Sequence, residues 1–296
     1  MRNNMKTLVL MATLGAIFVG VGQLMGGTSG ATMALIFAGV LNFGVYFFSD
    51  KLALMSAGAK PVTEQELPNV YGIVRSLAQR QNLPMPKIYL IPAPQPNAFA
   101  TGRNPKHAVV AVTSGILEMM DSSELEGVLG HEMSHVRNRD ILIASVAATV
   151  AAALSFLVRM TMWSSLGGGD RRRNNDAVSG VIFLISIILA PLAAMVIQMA
   201  ISRSREFEAD HDGAEMTGSP LALARALSKL EQGTARIPMH VNPSTAQLFI
   251  ADPLKAFGRR GSGSGGGGIT RMFSTHPPIP ERIARLEAMA QAGPIR

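Results

Sequence analysis

Four stretches of the chain run apolar almost without interruption, at 7–25, 31–48, 141–158 and 177–201. Each holds about 18 or more residues, the length a helix needs to cross a hydrocarbon core of roughly 30 Å. They predict two membrane hairpins. The short uncharged link 26–30 joins the first pair and returns the chain to the side it started from. The 7–25 stretch follows Arg2 and Lys6 as a signal sequence would. It is long, lacks a small-residue cleavage site and leads straight into a second apolar run, so it reads as a retained span.

Between the hairpins the pattern changes to shorter periods. Leu67, Val70, Ile73, Val74 and Leu77 recur at helical spacing and predict an amphipathic helix over 64–81. Two strands are expected next, at 87–91 and 107–113, the second carrying Val109, Val110 and Val112. Ser123 followed by Glu126 matches a capping box and places a helix start at Ser123. Beyond the fourth apolar stretch, helices are expected over 205–216, 220–230 and 280–290. The glycine-serine run 261–268 reads as a flexible linker.

Composition narrows the classes. Of 296 residues, 48% are hydrophobic and only 16% charged, which suits an integral membrane protein better than a soluble one. The net charge of +7 is spread along the chain among only 16 Phe, Tyr and Trp residues, so no nucleic-acid platform is formed; attraction to an anionic membrane face accounts for it. Arg2, Lys6, Lys51 and Lys60 put the N-terminus and the 49–140 segment on the cytoplasmic side. Arg171, Arg172 and Arg173 oppose this, because in that topology their loop is translocated. With no cysteine in the chain, any metal has to be held by histidines and carboxylates.

Such a set is present in His131-Glu132-Met133-Ser134-His135. Two histidines at i and i+4 present both imidazoles on one helix face, where one zinc ion can bridge them. Glu132 then lies within reach of a metal-bound water as a general base, the arrangement of a zinc hydrolase. His135 stands just before the third apolar stretch and Glu206 just after the fourth. At about 1.5 Å per helical residue both lie roughly 7–9 Å from the membrane, so the second hairpin returns a carboxylate to the height of the histidines. Spacing alone leaves Glu206, Glu208, Asp210 and Asp212 open as the third ligand, with His211 among them. A scaffold or transporter with a structural metal is the competing class. Against it, two histidines and one carboxylate leave a position for water, and no charge lies inside any apolar stretch.

Two spans, a cytosolic segment, this histidine motif, two more spans, Ser202-Arg203-Ser204-Arg205-Glu206-Phe207-Glu208-Ala209-Asp210 and the late Phe273-Ser274-Thr275-His276-Pro277-Pro278 together resemble the HtpX-type membrane proteases, relatives of the CaaX prenyl-protein proteases. The likeness covers nearly the whole chain. It implies an integral membrane α-helical protein with a mostly α, gluzincin-like metalloprotease domain carrying a small sheet. The expected divisions are a membrane hairpin (1–48), a cytosolic part with the metal helix (49–140), a second hairpin (141–201) and a C-terminal part (202–296). The resemblance further implies one zinc per subunit on His131, His135 and Glu206, with Asp210 orienting a ligand histidine. Glu132 is then the catalytic base, and His276 and Arg282 stabilise the oxyanion. Asn97, Ala98 and Phe99 would line the substrate cleft, and 108–113 would be the edge strand on which a peptide pairs. Implied too are unfolded or damaged membrane proteins as substrates, the lipid bilayer as partner, and a multi-pass place in the cell inner membrane with the site facing the cytoplasm. Fewer spans favour this over a prenyl-protein protease.

Overall fold

The computed structural model describes residues 2–150, 203–241, 246, 248–254 and 277–293. Helix α1, Arg2–Ser56, is broken at Gly26 and Gly27, whose backbone leaves the helical region (Gly27 φ 57°, ψ −145°). The two halves fold back at a glycine contact: a Cβ on Gly30 would lie 2.2 Å from the Gly22 carbonyl oxygen, so no larger residue fits. Residues Gly26–Ser56 are long and apolar enough to span a bilayer. Met33, Leu35, Ile36, Phe37, Val40 and Phe43 stand exposed along them, a surface that water does not favour. The helix outruns the expected end of the span at 48. Its last turns bury Ala53 and Leu54 against Ile91, Phe99, Val109 and Ala111 of the sheet.

The sheet has the order β1 (Lys60–Pro61), β2 (Lys87–Ile91), β4 (Val109–Thr113), β3 (Ala98–Thr101). β2 and β4 are parallel, with Lys87 opposite Val109; β3 and β4 are antiparallel, with Ala98 opposite Val112. The 107–113 expectation is thus corrected twice. Residues Pro105–His107 form a 3₁₀ turn, and the strand after it lies inside the sheet with a partner on each side. The edge strand beside it is Ala98–Thr101. The physical reason is burial on both faces. Val110 and Val112 enter the main helical core, Val109 and Ala111 pack under the end of α1, and a strand covered on both faces reads as one continuous apolar run.

Helix α2, Pro68–Arg80, begins four residues later than expected, because proline takes the first turn and Glu66 folds back on the Thr63 backbone N–H at 2.6 Å. Val70, Val74 and Leu77 face the core as their spacing requires. After the short α3, Ser114–Met119, helix α4 spans Ser122–Arg137. Its cap is Asp121, not Ser123. The Asp121 carboxylate accepts from Glu124 N–H at 2.9 Å, Glu124 accepts from Asp121 N–H at 3.1 Å, and Ser123 Oγ only donates to Asp121 at 2.7 Å. Two cap frames overlap here, and the charged acceptor wins at the positive end of the helix.

Helix α5, Asp140–Val150, is the described part of the third apolar stretch. Ile143, Val146 and Val150 pack on Val45, Leu41 and Met11 of the first hairpin. The fourth stretch, the arginine-bearing loop and the glycine linker lie outside the described residues. Helices α6, Arg203–Thr217, and α7, Pro220–Arg236, pack on α4 and on each other, and α8, Ile279–Gln291, packs on these two.

Where α6 crosses α4, two glycines face each other. A Cβ on Gly213 would stand 2.6 Å from the backbone nitrogen of His131, and one on Gly130 2.9 Å from Thr217 Cγ2. Gly213→Ala is expected to force the helices apart, lowering stability by about 1–3 kcal/mol and weakening metal binding. Thermal unfolding with a metal titration checks both; parent-like values would show the crossing to be pliable.

Candidate metal centre

The close crossing brings three donor groups together. His131 and His135 lie one turn apart on α4, with ring centroids 4.7 Å apart and planes at 89°. Their Nε2 atoms are 3.2 Å from each other. Glu206, in the first turn of α6, sends Oε2 to within 3.8 Å of His131 Nε2 and Oε1 to within 3.6 Å of His135 Nε2. An ion bound tetrahedrally at about 2.0–2.1 Å holds its donors roughly 3.3 Å apart. Two nitrogens and a carboxylate at these separations, from groups that are otherwise shielded from water, fit such an ion.

The geometry also decides among the acidic residues of α6. Glu206 and Asp210 share the face turned to α4. Glu208 is exposed. Asp212 is taken by Arg137, by Asn138 Nδ2 at 3.0 Å and by Ser134 Oγ at 3.3 Å, fastening α6 to the end of α4. Asp210 reaches the far nitrogen of His131, with Nδ1 to Oδ1 at 2.9 Å. A proton on Nδ1 leaves the Nε2 lone pair for the metal.

Arg282, expected at the oxyanion, is 0% exposed and holds Asp210 with two hydrogen bonds, Nε to Oδ2 at 2.7 Å and Nη2 to Oδ1 at 2.6 Å. Its Nη1 donates to the Ile250 carbonyl at 3.1 Å. His276 lies outside the described residues.

Charge follows this wiring. Burial alone would raise the Asp210 carboxyl, but Arg282 and His131 hold it down, to about 2. Burial works against protonated His135, yet the hydrogen bond it donates to Asp140 and the nearby Glu206 and Glu132 push it up to about 9. Glu132 is 2% exposed, and burial, with Glu206 beside it, raises its carboxyl; the two histidines and the Ala100 backbone N–H pull the other way.

Asn97, Ala98 and Phe99 are fully buried in the wall beside α4. Asn97 Nδ2 donates to the Ala251 carbonyl at 2.8 Å, the Ala98 carbonyl accepts from Ile250 N–H at 3.0 Å, and the Phe99 ring meets Phe249 edge-on at 4.9 Å. Residues 249–251 thus run along the outer side of β3, an arrangement for which the sequence carries no local signal.

Residues 64–290 match the profile of Peptidase family M48. The chain belongs to that family. A "Protease HtpX homolog" of Thermodesulfovibrio yellowstonii is 53% identical over 289 residues, covering 98% of this chain and 99% of its own. Another of Aquifex aeolicus is 48% identical over 279 residues, covering 93% and 89%. Among solved structures, that of S. mikatae Ste24p aligns with a TM-score of 0.51 at 17% identity, over 96% of this chain and 65% of that one; at this identity the likeness bears on the fold alone. Membership of M48 makes the chain a metalloprotease and so a hydrolase. With the exposed apolar helix of residues Gly26–Ser56, it is a membrane-associated one.

Proposed function

We propose that this M48 peptidase is a multi-pass membrane zinc endopeptidase that cleaves misfolded or damaged membrane proteins at the cytoplasmic face. The observation that carries the reading is the convergence of His131, His135 and Glu206 beside a buried Glu132. One zinc held there supplies a Lewis acid and a water acidified towards neutrality. Glu132, oriented by the Ala100 N–H, accepts the proton of the attacking water and hands it to the leaving nitrogen. His131 is kept in one tautomer by Asp210, and Arg282 in turn anchors Asp210, so Arg282 acts by positioning. His276 retains the oxyanion role. The outer side of β3 is where an extended peptide pairs, with Asn97, Ala98 and Phe99 as the wall. In the present conformation Ile250 N–H occupies the Ala98 carbonyl, and a substrate takes that bond over.

The test is proteolysis in lipid vesicles by the purified chain, offered a destabilised membrane protein and its stable parent. Faster loss of the destabilised form, stopped by a chelator and restored by zinc, is the expected result. Bound zinc without cleavage of either would sink the reading in favour of a structural metal.

A further inference from the structure

His131 owes its orientation to a carboxylate on a neighbouring helix, and the second ligand histidine has a matching partner from an unexpected place. Helix α4 ends at Arg137, with Asn138 as its C-cap (φ −81°, ψ −2°). Arg139 then takes φ 59°, the left-handed region that residues with a Cβ rarely adopt. Asp140 opens α5 immediately after. On an unbroken helix, residue 140 would lie five positions beyond His135, roughly 140° round the axis, facing away from it. The left-handed turn undoes that rotation. Asp140 Oδ2 comes to 3.2 Å from His135 Nδ1, with both side chains largely shielded from solvent.

We infer that Asp140 is a positioning residue for the metal site: it accepts the Nδ1 proton of His135 and so aims the Nε2 lone pair at the point shared with His131 and Glu206. The inference rests on the metal-site reading above and adds to it a residue outside the histidine motif. Asp140 does for His135 what Asp210 does for His131, and the backbone conformation of Arg139 is what delivers it. A carboxylate is the suited acceptor here, because it fixes the tautomer and makes the ring a better donor to a cation. A further consequence is mechanical. The same residue starts the third apolar helix, which joins the metal site directly to the membrane part of the chain.

A purely structural role for Asp140, as a favourable charge at the start of α5, predicts different results. The test uses the full-length, detergent-solubilised protein, its Asp140→Ala and Asp140→Asn variants, zinc affinity by chelator competition, the visible spectrum of the cobalt-substituted protein and the melting temperature of the metal-free form. We expect Asp140→Ala to weaken zinc binding about 10–100-fold and to change the cobalt spectrum. Asp140→Asn, whose amide oxygen still accepts the Nδ1 proton, should recover part of both. Parent-like affinity and spectrum in Asp140→Ala would overturn the inference while leaving the metal site standing. A lowered melting temperature with an unchanged spectrum would assign the residue to α5 alone and overturn it as well. If the parent itself binds no zinc at His131, His135 and Glu206, the reading of the site falls and the inference falls with it.

Discussion

Glu132→Gln is expected to keep the fold and the metal while lowering peptide hydrolysis by about 10²–10⁴-fold, the contribution of a general base in such reactions. The substitution is nearly isosteric. The amide oxygen of glutamine still accepts from Ala100 N–H, and the buried site no longer has to hold an ionisable group that burial disfavours in its charged form. The variant therefore melts at or above the parent temperature and carries the same zinc. Metal analysis, thermal unfolding and a cleavage assay on an unfolded protein separate these effects. Residual activity near that of the parent would mean that another group takes the proton.

Arg282→Met removes a buried cation from a chain of contacts and is expected to destabilise the protein by about 3–5 kcal/mol, the range for stranding one partner of a buried ion pair. Asp210 then has burial without its counter-charge, and the Ile250 carbonyl loses its donor. The pH dependence has a definite sign. In the parent the folded Asp210 carboxyl lies at about 2, below its unfolded value. Its stabilisation is thus present above the unfolded value and is lost as pH falls through the folded one. Without Arg282 burial raises that carboxyl instead, so the deficit of the variant is largest near neutral pH and shrinks on acidification. Adding Asp210→Asn should restore most of the stability without restoring metal affinity, because an uncharged pair tolerates burial but the orientation of His131 is lost. Urea unfolding at several pH values, for the single and double variants, checks this. A deficit that is constant with pH would deny that Asp210 is the group left exposed to burial.

The convergence of His131 and His135 beside Glu132 was legible because helical spacing is a local code: i and i+4 face one way wherever the helix is placed. That a carboxylate of 206–212 returns to the histidines was legible by a different route, since equal distances from two apolar stretches implied equal height; the choice of Glu206 among them came only from the resemblance to the HtpX-type proteases. What escaped was non-local. That 109–113 lies inside the sheet depends on its pairing with Ala98–Thr101 and with Lys87–Ile91 at once. The placing of Ile250 on the edge of β3 depends on a segment about 150 residues away in sequence. Asp140 was hidden by one backbone angle at Arg139, a residue with no propensity for the left-handed region. The capping error had another origin, two overlapping frames at Asp121 and Ser123 that satisfy the same pattern. The wiring of Arg282 to Asp210 also needed the structure, because a lone arginine in a C-terminal helix carries no mark of burial.

The unbroken run of α1 from Thr28 to Ser56 has a consequence for how the peptidase meets its surroundings. Ala53 and Leu54 are wedged under the sheet that walls the metal site, only a turn and a half beyond the apolar segment. A helix transmits tilt along its length. When a bilayer thinner or thicker than the apolar segment makes that segment lean, as hydrophobic mismatch does, the wall beside Glu132 leans with it. On the membrane reading proposed above, the lipid becomes a part of the working geometry of the site: acyl-chain length, acting through α1, is expected to change both the height at which the cleft opens and the angle at which a membrane-anchored chain enters it.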